Sequence, residues 1–377
     1  MKDTIQYDRY QRQLILKGFG ESAQQKLKEA RVLVIGAGGL GCPILQYLVA
    51  AGVGHIGIAD HDKVSLSNLH RQILFNTDDV GRYKVDVVLE RMRALNPEVD
   101  IKAWIKKWSH QDCVDCFPDF DIIVDATDNF ASRYMINDAA VLMGKPLVFG
   151  AISQYEGQAA VFNLQKEDGS RSVNYRDLFP EPPKHTEILN CSEGGVLGVL
   201  PGIIGSMQAT EVIKLITGLG EPLVDKLWNY QALTQDVFIL ALTKHAEAND
   251  KTPKSIEEFL KTDYEWLCEV TRSDIKELDI RKWQQNHLAD LLVDIREPHE
   301  QPRLTRMAEA MGLNLLELPL SEFENKISGL QHKNIVLVCQ AGRRSLQAAS
   351  LLINKNNHQN VQSLRGGVNA LVELKMI

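Results

Sequence analysis

The chain has 377 residues, 44% hydrophobic and 24% charged, with a formal net charge of −7. Such a length and composition describe a globular protein of two or three domains. An acidic balance without clustered Lys and Arg excludes a general nucleic-acid binder, which must neutralise phosphates.

The opening segment, MKDTIQYDRYQRQ, has no apolar core and is no secretion signal. The longest apolar run, GGVLGVLPGIIG, is broken by Gly and Pro and falls short of the ~18 residues of a membrane span. Six cysteines, Cys42, Cys113, Cys116, Cys191, Cys268 and Cys339, are too sparse for a disulfide framework. The expectation is a soluble, cytoplasmic protein with reduced thiols and no membrane or nucleic-acid partner.

RVLVIG, beginning at Arg31, reads as a buried parallel strand. GAGGLG follows at once, then CPILQYLVAAG with helical spacing, then a second buried strand, HIGIAD. This strand–turn–helix–strand unit is a nucleotide-binding pattern. Gly36, Gly38, Gly39 and Gly41 permit a tight turn and let backbone amides approach phosphate, beside the positive end of a helix. Asp60 closes the second strand, where it can bond a ribose hydroxyl. The next segment carries Asp62, Asn68, Arg71, Gln72 and Lys84. Arg71 and Lys84 suit a triphosphate, and Asp62 or a neighbouring acid suits magnesium. Hydride transfer to NAD(P) has no use for such a clamp, so an oxidoreductase is the alternative of a different class. DIIVDAT and PLVFGAI give two more strands with a helix between. Asp128 and Asn129 lie at a strand's C-terminal end, where open α/β sheets bind ligands; either also suits a helix N-cap.

RYQRQ (9–13), GAGGLGC (36–42), SNLHRQ (67–72), Lys84, TDN (127–129), NCSEGGVLG (190–198) and DYEWLCEV (263–270) occur in that order. The chain over residues 1–272 thereby resembles the MoeB/ThiF family, ubiquitin-activating-type enzymes that adenylate the C-terminal glycine of a small ubiquitin-like sulfur carrier. The resemblance implies ATP contacts at Gly39, Asp60, Ser67, Asn68, Leu69, His70, Arg71, Lys84, Asp128 and Asn129, with Asp128 as the magnesium acid. It also implies that Arg12 reaches the phosphates from a partner subunit, hence a homodimer. Cys191 precedes glycines and matches the family's conditional nucleophile. Many relatives hold a structural zinc on two Cys-x-x-Cys pairs. Here Asn174 and Asp177 stand at the first pair and no Cys lies near the second, so zinc is expected to be absent. CVDC at 113–116 does not replace it. The polar stretch at about 243–255 reads as a flexible loop.

From about residue 276 the pattern restarts and runs to 377. LLVDIRE is a strand end, and NIVLVCQAGRRSLQAASLLINK is a strand, a cysteine loop and a helix. That arrangement surrounds a thiolate with backbone amides. Cys339, Gln340, Ala341, Gly342, Arg343, Arg344 and Ser345 form the loop. Arg344 stands one residue too early for a Cys-x5-Arg phosphatase cradle. VDIRE, CQAGRRS and LRGGVNAL together resemble a rhodanese domain, with Cys339 as its sulfur carrier, although residues 298–320 depart from the usual EYxxGHIPGA. The fold expected is α/β: a Rossmann-like adenylation domain followed by a smaller rhodanese domain. The function expected is ATP- and Mg2+-dependent adenylation of a carrier ending in Gly-Gly, then sulfur transfer through Cys339 from a persulfide or thiosulfate. A silent or regulatory rhodanese domain is the variant reading.

Overall fold

The computed structural model describes residues 2–181, 195–264, 276–279, 291–327, 330, 334–340, 342–356 and 360–373. They fall into two compact units, the first ending at Tyr264.

The first unit is built on an eight-stranded sheet of order β3-β2-β1-β4-β5-β6-β7-β8. Its strands are β1 (Arg31–Ile35), β2 (His55–Ala59), β3 (Asp100–Trp104), β4 (Ile122–Asp125), β5 (Leu147–Ser153), β6 (Glu156–Phe162), β7 (Lys226–Gln231) and β8 (Asp236–Ala241). β1 to β5 pair in parallel, and β6 to β8 continue the sheet antiparallel. Val32, Leu33 and Val34 of β1 are wholly buried. Burial of each such side chain stabilises by about 1.5–3 kcal/mol relative to exposure, and helices on both faces are what permit a run with no polar alternation.

The helix Gly41–Ala51 ends at Gly52, whose left-handed conformation caps it. Apolar contacts from Leu200–Thr217 cover that helix and the sheet beside it. The chain order 3-2-1-4-5 reverses between β1 and β4, and the crevice at their carboxyl ends is the switch point where such sheets bind ligands.

The polar stretch read as a loop holds a helix, Ala246–Lys251. Periodicity could not show it, because its anchors are small or distant: Ala248 and Thr252 are buried, and the His245 amide donates to Asp177 Oδ1 at 2.8 Å.

The second unit has five parallel strands in the order β11-β10-β12-β13-β9. These are β9 (Lys276–Leu278), β10 (Leu291–Asp294), β11 (Leu315–Glu317), β12 (Ile335–Val338) and β13 (Val361–Leu364). β10 and β12 are fully buried, with apolar clusters on both faces. Cys339 leaves the central strand β12 directly.

Candidate active site

Three segments converge at the switch point to line a cleft of about 530 Å³: the glycine turn after β1, the loop after β2 and the loop after β4. Two glycines of the turn have no substitute. Gly36 has φ +103°, and a Cβ there would meet the Ala126 carbonyl oxygen at 2.5 Å. A Cβ on Gly41 would lie 2.1 Å from the Gly36 carbonyl oxygen, so this residue lets the turn close on itself and does not line the cleft.

Asp60 fastens the turn to the next loop. Its Oδ2 accepts from the Ala37 amide and its Oδ1 from the Asp62 amide, both at 2.8 Å. Lys84 opens the helix Lys84–Leu95, is buried, and donates from Nζ to Asp62 Oδ2 at 2.8 Å. Burial is the largest single influence and pushes the Asp62 carboxyl up; the bond and the positive charge of Lys84, with a smaller contribution from His61, together outweigh it and hold the group below its ordinary range. Arg71 Nη1 donates to the Ser67 carbonyl at 3.0 Å and bonds His70 Nε2 at 2.8 Å. Gln72 is buried on the wall, and its Oε1 has no partner among the described residues. A buried acceptor left unmade costs about 1–3 kcal/mol, which a ligand donor would recover.

Behind the third loop, Asp125 is fully buried and its carboxyl is pushed up by burial, against Arg133 and a bond from Thr127. Asn129 caps the helix Phe130–Leu142 by accepting from the Ser132 amide at 2.9 Å. Asp128 is exposed at the cleft, and its carboxylate takes no hydrogen bond or ion pair among the described residues. Asp60, His61 and Asp62 also place one ligand atom each within 4.8 Å of one another. Both Asp60 oxygens and one Asp62 oxygen are already engaged, so the donor set with most capacity for a hard divalent ion is Asp128.

Gly36, Gly38, Gly39, Asp60, Asp62, Ser67, His70, Arg71, Gln72, Lys84, Asp128 and Asn129 thus meet at one cleft. Asn68 and Leu69 do not line it. Asn68 Oδ1 accepts from the Ser65 amide at 3.1 Å to cap its own turn, and Leu69 packs on the core. Arg12 is exposed in the last turn of the helix Lys2–Leu14 and is not part of the lining. Cys191 lies outside the described residues, as does Ala341. Sequence reasoning missed Lys106, Lys107, Trp108 and Arg133, which also line the cleft. Lys106 sits 5.6 Å from the Trp108 ring, a basic and aromatic pairing that was the available signal.

At Asn174 and Asp177 the structure shows a capping box. Asp177 Oδ2 accepts from the Asn174 amide at 2.8 Å, and Asn174 Oδ1 from the Arg176 amide at 2.9 Å. Arg176 in turn grips Asp138 by two bonds of 2.7 Å, and Tyr264 donates to the same carboxylate at 2.7 Å. Cys113 and Cys116 share the short helix His110–Cys116, with Cys113 fully buried. Burial pushes the Cys42 thiol up to about 12 and the Cys113 thiol higher still, which removes both as nucleophiles.

In the second unit the three signatures meet at Cys339. The residue is buried, and its Sγ lies 3.4 Å from Ser345 Oγ, which bonds the Gly342 carbonyl at 3.0 Å and Ser363 Oγ at 2.8 Å. Gly342, at φ +84°, presses against Gly366. The amides of Val368 and Asn369 donate to the carbonyls of Cys339 and Gln340, both at 2.9 Å. From the first signature, Arg296 is wholly buried against Asp294 and donates to Gln340 Oε1 at 3.0 Å. Glu300, which sequence reasoning passed over, pairs with Arg344 through both carboxylate oxygens.

A cleft at a doubly wound switch point, followed on the same chain by a second α/β unit with a buried cysteine at the end of its central strand, defines the class as a two-part α/β protein. Residues 10–253 match the ThiF family and residues 275–374 the rhodanese-like domain. The chain belongs to the ThiF family and carries a C-terminal rhodanese-like domain. It is 41% identical over 370 residues to the Mycobacterium tuberculosis protein named probable adenylyltransferase/sulfurtransferase MoeZ, covering 96% of this chain and 91% of that one. It is 36% identical to adenylyltransferase and sulfurtransferase MOCS3-1 of Zea mays, covering 96% and 80%. The Thermus thermophilus sulfur carrier protein adenylyltransferase is 50% identical over 226 residues, 60% of this chain and 83% of that one. Among solved structures, E. coli MccB superposes with a TM-score of 0.56 at 23% identity, over 63% of this chain and 73% of that one, a likeness of fold.

Proposed function

We propose that the chain adenylates the C-terminal glycine of a small ubiquitin-like sulfur carrier and then delivers sulfur to it through Cys339. The observation that carries this reading is the pairing on one chain of a cleft lined by the glycine turn, Arg71 and Lys84 with a loop that starts at the buried Cys339. The relatives' names support both activities.

In the first step a carboxylate oxygen of the carrier attacks the α-phosphorus of ATP and pyrophosphate leaves. Positioning and charge stabilisation do most of this work. Arg71 and Lys84 would face the phosphates and the glycine-turn amides would cradle them. Asp128 would hold magnesium, which would supply positive charge to the phosphate oxygens. Arg12, exposed and away from its own cleft, would serve the cleft of a second copy, which makes the working form a homodimer. The outer strand β8, with Val237, Phe238, Ile239 and Leu240 all at least half exposed, offers a protein partner an apolar edge.

In the second step Cys339 carries a persulfide whose terminal sulfur attacks the acyl carbon, and AMP leaves. A thiol then cleaves the acyl disulfide at the Cys339 sulfur and frees the thiocarboxylate. Cys191 remains the candidate for that thiol or for a thioester. The protein would work in a reducing, cytoplasmic setting, without zinc.

The test is incubation with ATP, magnesium, a persulfide or thiosulfate, and a Gly-Gly carrier. The carrier's mass should rise first by an adenylyl group, then settle at sulfur in place of oxygen. Cys339→Ala should keep the first change and lose the second. A carrier that gains neither mass defeats the reading.

A further inference from the structure

The turn at 297–300 closes with the Glu300 amide donating to the Glu297 carbonyl at 3.0 Å and aims Glu300 at the cysteine loop. Glu300 Oε2 accepts from the Glu297 amide at 2.8 Å and from Arg344 Nη1 at 2.7 Å, while Oε1 accepts from Arg344 Nη2. Two parallel bonds make the fork that binds a guanidinium most firmly. The pair is partly withdrawn from water, with side-chain exposures of 18% for Glu300 and 35% for Arg344. Arg344 lies close enough to Cys339 to respond to the charge on its sulfur. Arg296 spends its donors on Asp294, Gln340 and the Pro302 carbonyl. Neither of these two arginines offers the loop an unpaired charge.

Sulfur donors differ in what they need from such a loop. With an organic persulfide, the Cys339 thiolate attacks the outer sulfur, a new S–S bond forms, the donor's own S–S bond breaks, and a singly charged thiolate leaves. With thiosulfate the same attack expels sulfite, which carries two negative charges. No net oxidation occurs in either case; one sulfur changes partners. The dianion depends far more on free positive charge, both on approach and as the leaving group develops.

We propose that Glu300 is the specificity-determining residue for the sulfur donor: by occupying Arg344 it favours organic persulfides over dianionic inorganic donors. This rests on Cys339 as the sulfur acceptor. The experiment loads the full-length protein with thiosulfate or with glutathione persulfide and follows, by intact mass, the gain of one sulfur. In Glu300→Gln the rate ratio of thiosulfate to persulfide should rise about tenfold or more, the scale of steering by one unmasked charge. The rise should vanish when Arg344→Gln is added. An unchanged ratio, or an equal fall for both donors, overturns the proposal. If Glu300→Gln does not fold, Glu300→Ala takes its place, with the same rise expected and the same unchanged ratio overturning the proposal. If neither donor loads the unaltered protein, the reading of Cys339 itself falls, an outcome separate from an unmoved ratio.

Discussion

Among the described residues, charge is left open around the cleft and closed around Cys339. In the cleft, Asp128 is exposed without a partner and Arg71 bonds only Ser67 and His70 among the described residues, while the Gln72 oxygen is orphaned. In the loop, Arg296 and Arg344 are each spent on a carboxylate and the sulfur is buried against a serine. The first pattern suits a polyanion that comes and goes with its own counter-ion. The second suits a sulfur that must be kept from water and released to one partner. Two sites with opposite demands on charge are thus housed in separate units, each with its own core.

The sharpest way to break this contrast is to reopen the closed site. Arg296→Met leaves the Asp294 carboxyl buried without its guanidinium partner, and loss of one partner of a buried pair costs about 3–5 kcal/mol. Sulfur loading of Cys339 should be lost together with cooperative melting of the second unit, while carrier-dependent ATP–pyrophosphate exchange persists. Exchange lost in equal measure would show that the units are not energetically separate. The converse variant, Lys84→Met, should leave sulfur loading intact and lower exchange by about 10²–10³-fold, as expected for removal of one transition-state donor. A smaller effect would mean that the 2.8 Å bond to Asp62 is the chief use of Lys84.

Legibility followed the same division. β1, the glycine turn and β2 were readable because a buried parallel strand and a tight turn leave strong compositional marks: RVLVI, then Gly36 and Gly41 where any side chain would collide. The loop around Cys339 was readable because three short signatures fall in one place. What escaped was set by distant contacts. Trp108 and Lys106 reach the cleft from beyond β3 with no motif of their own. Glu300 sits where the sequence departs from the usual rhodanese continuation, and only its bond to Arg344, 44 residues away, gives it meaning. The helix Ala246–Lys251 reads as a loop in the sequence because its anchors are a small buried Ala248 and a backbone amide bonding Asp177. Asn129 lines the cleft and Asn68 does not, and the side chains of both are engaged in capping local structure.

That helix gives the third test. Asp177 ties the Tyr175–Leu178 turn to His245 by hydrogen bonds, the work that a metal crosslink would otherwise do. Asp177→Ala should destabilise the first unit by about 0.5–1.5 kcal/mol, the net worth of an ordinary hydrogen bond such as the exposed one to the His245 amide. Chelator should leave the melting temperature of the unaltered protein unchanged, and metal analysis should find no stoichiometric zinc. A chelator-induced drop would replace the hydrogen-bonded account with a metal-based one.

The smallest effect concerns acid. The Arg344 fork, the strongest influence on Glu300, draws its carboxyl from 4.5 down to about 2. A depressed folded-state value means that the pair stabilises fully above the ordinary carboxylate range, and that this stabilisation is lost as pH falls from about 4.5 toward about 2. The pair is partly open to solvent, so its worth is about 1 kcal/mol. The difference in stability between the unaltered protein and Glu300→Gln, measured by denaturant unfolding, should therefore be flat from pH 8 to about 5 and shrink below it. A difference that instead vanished between pH 7 and 6 would show that the Glu300 carboxylate is not the group that closes the loop, since a carboxyl lowered by its arginine stays ionised throughout that range.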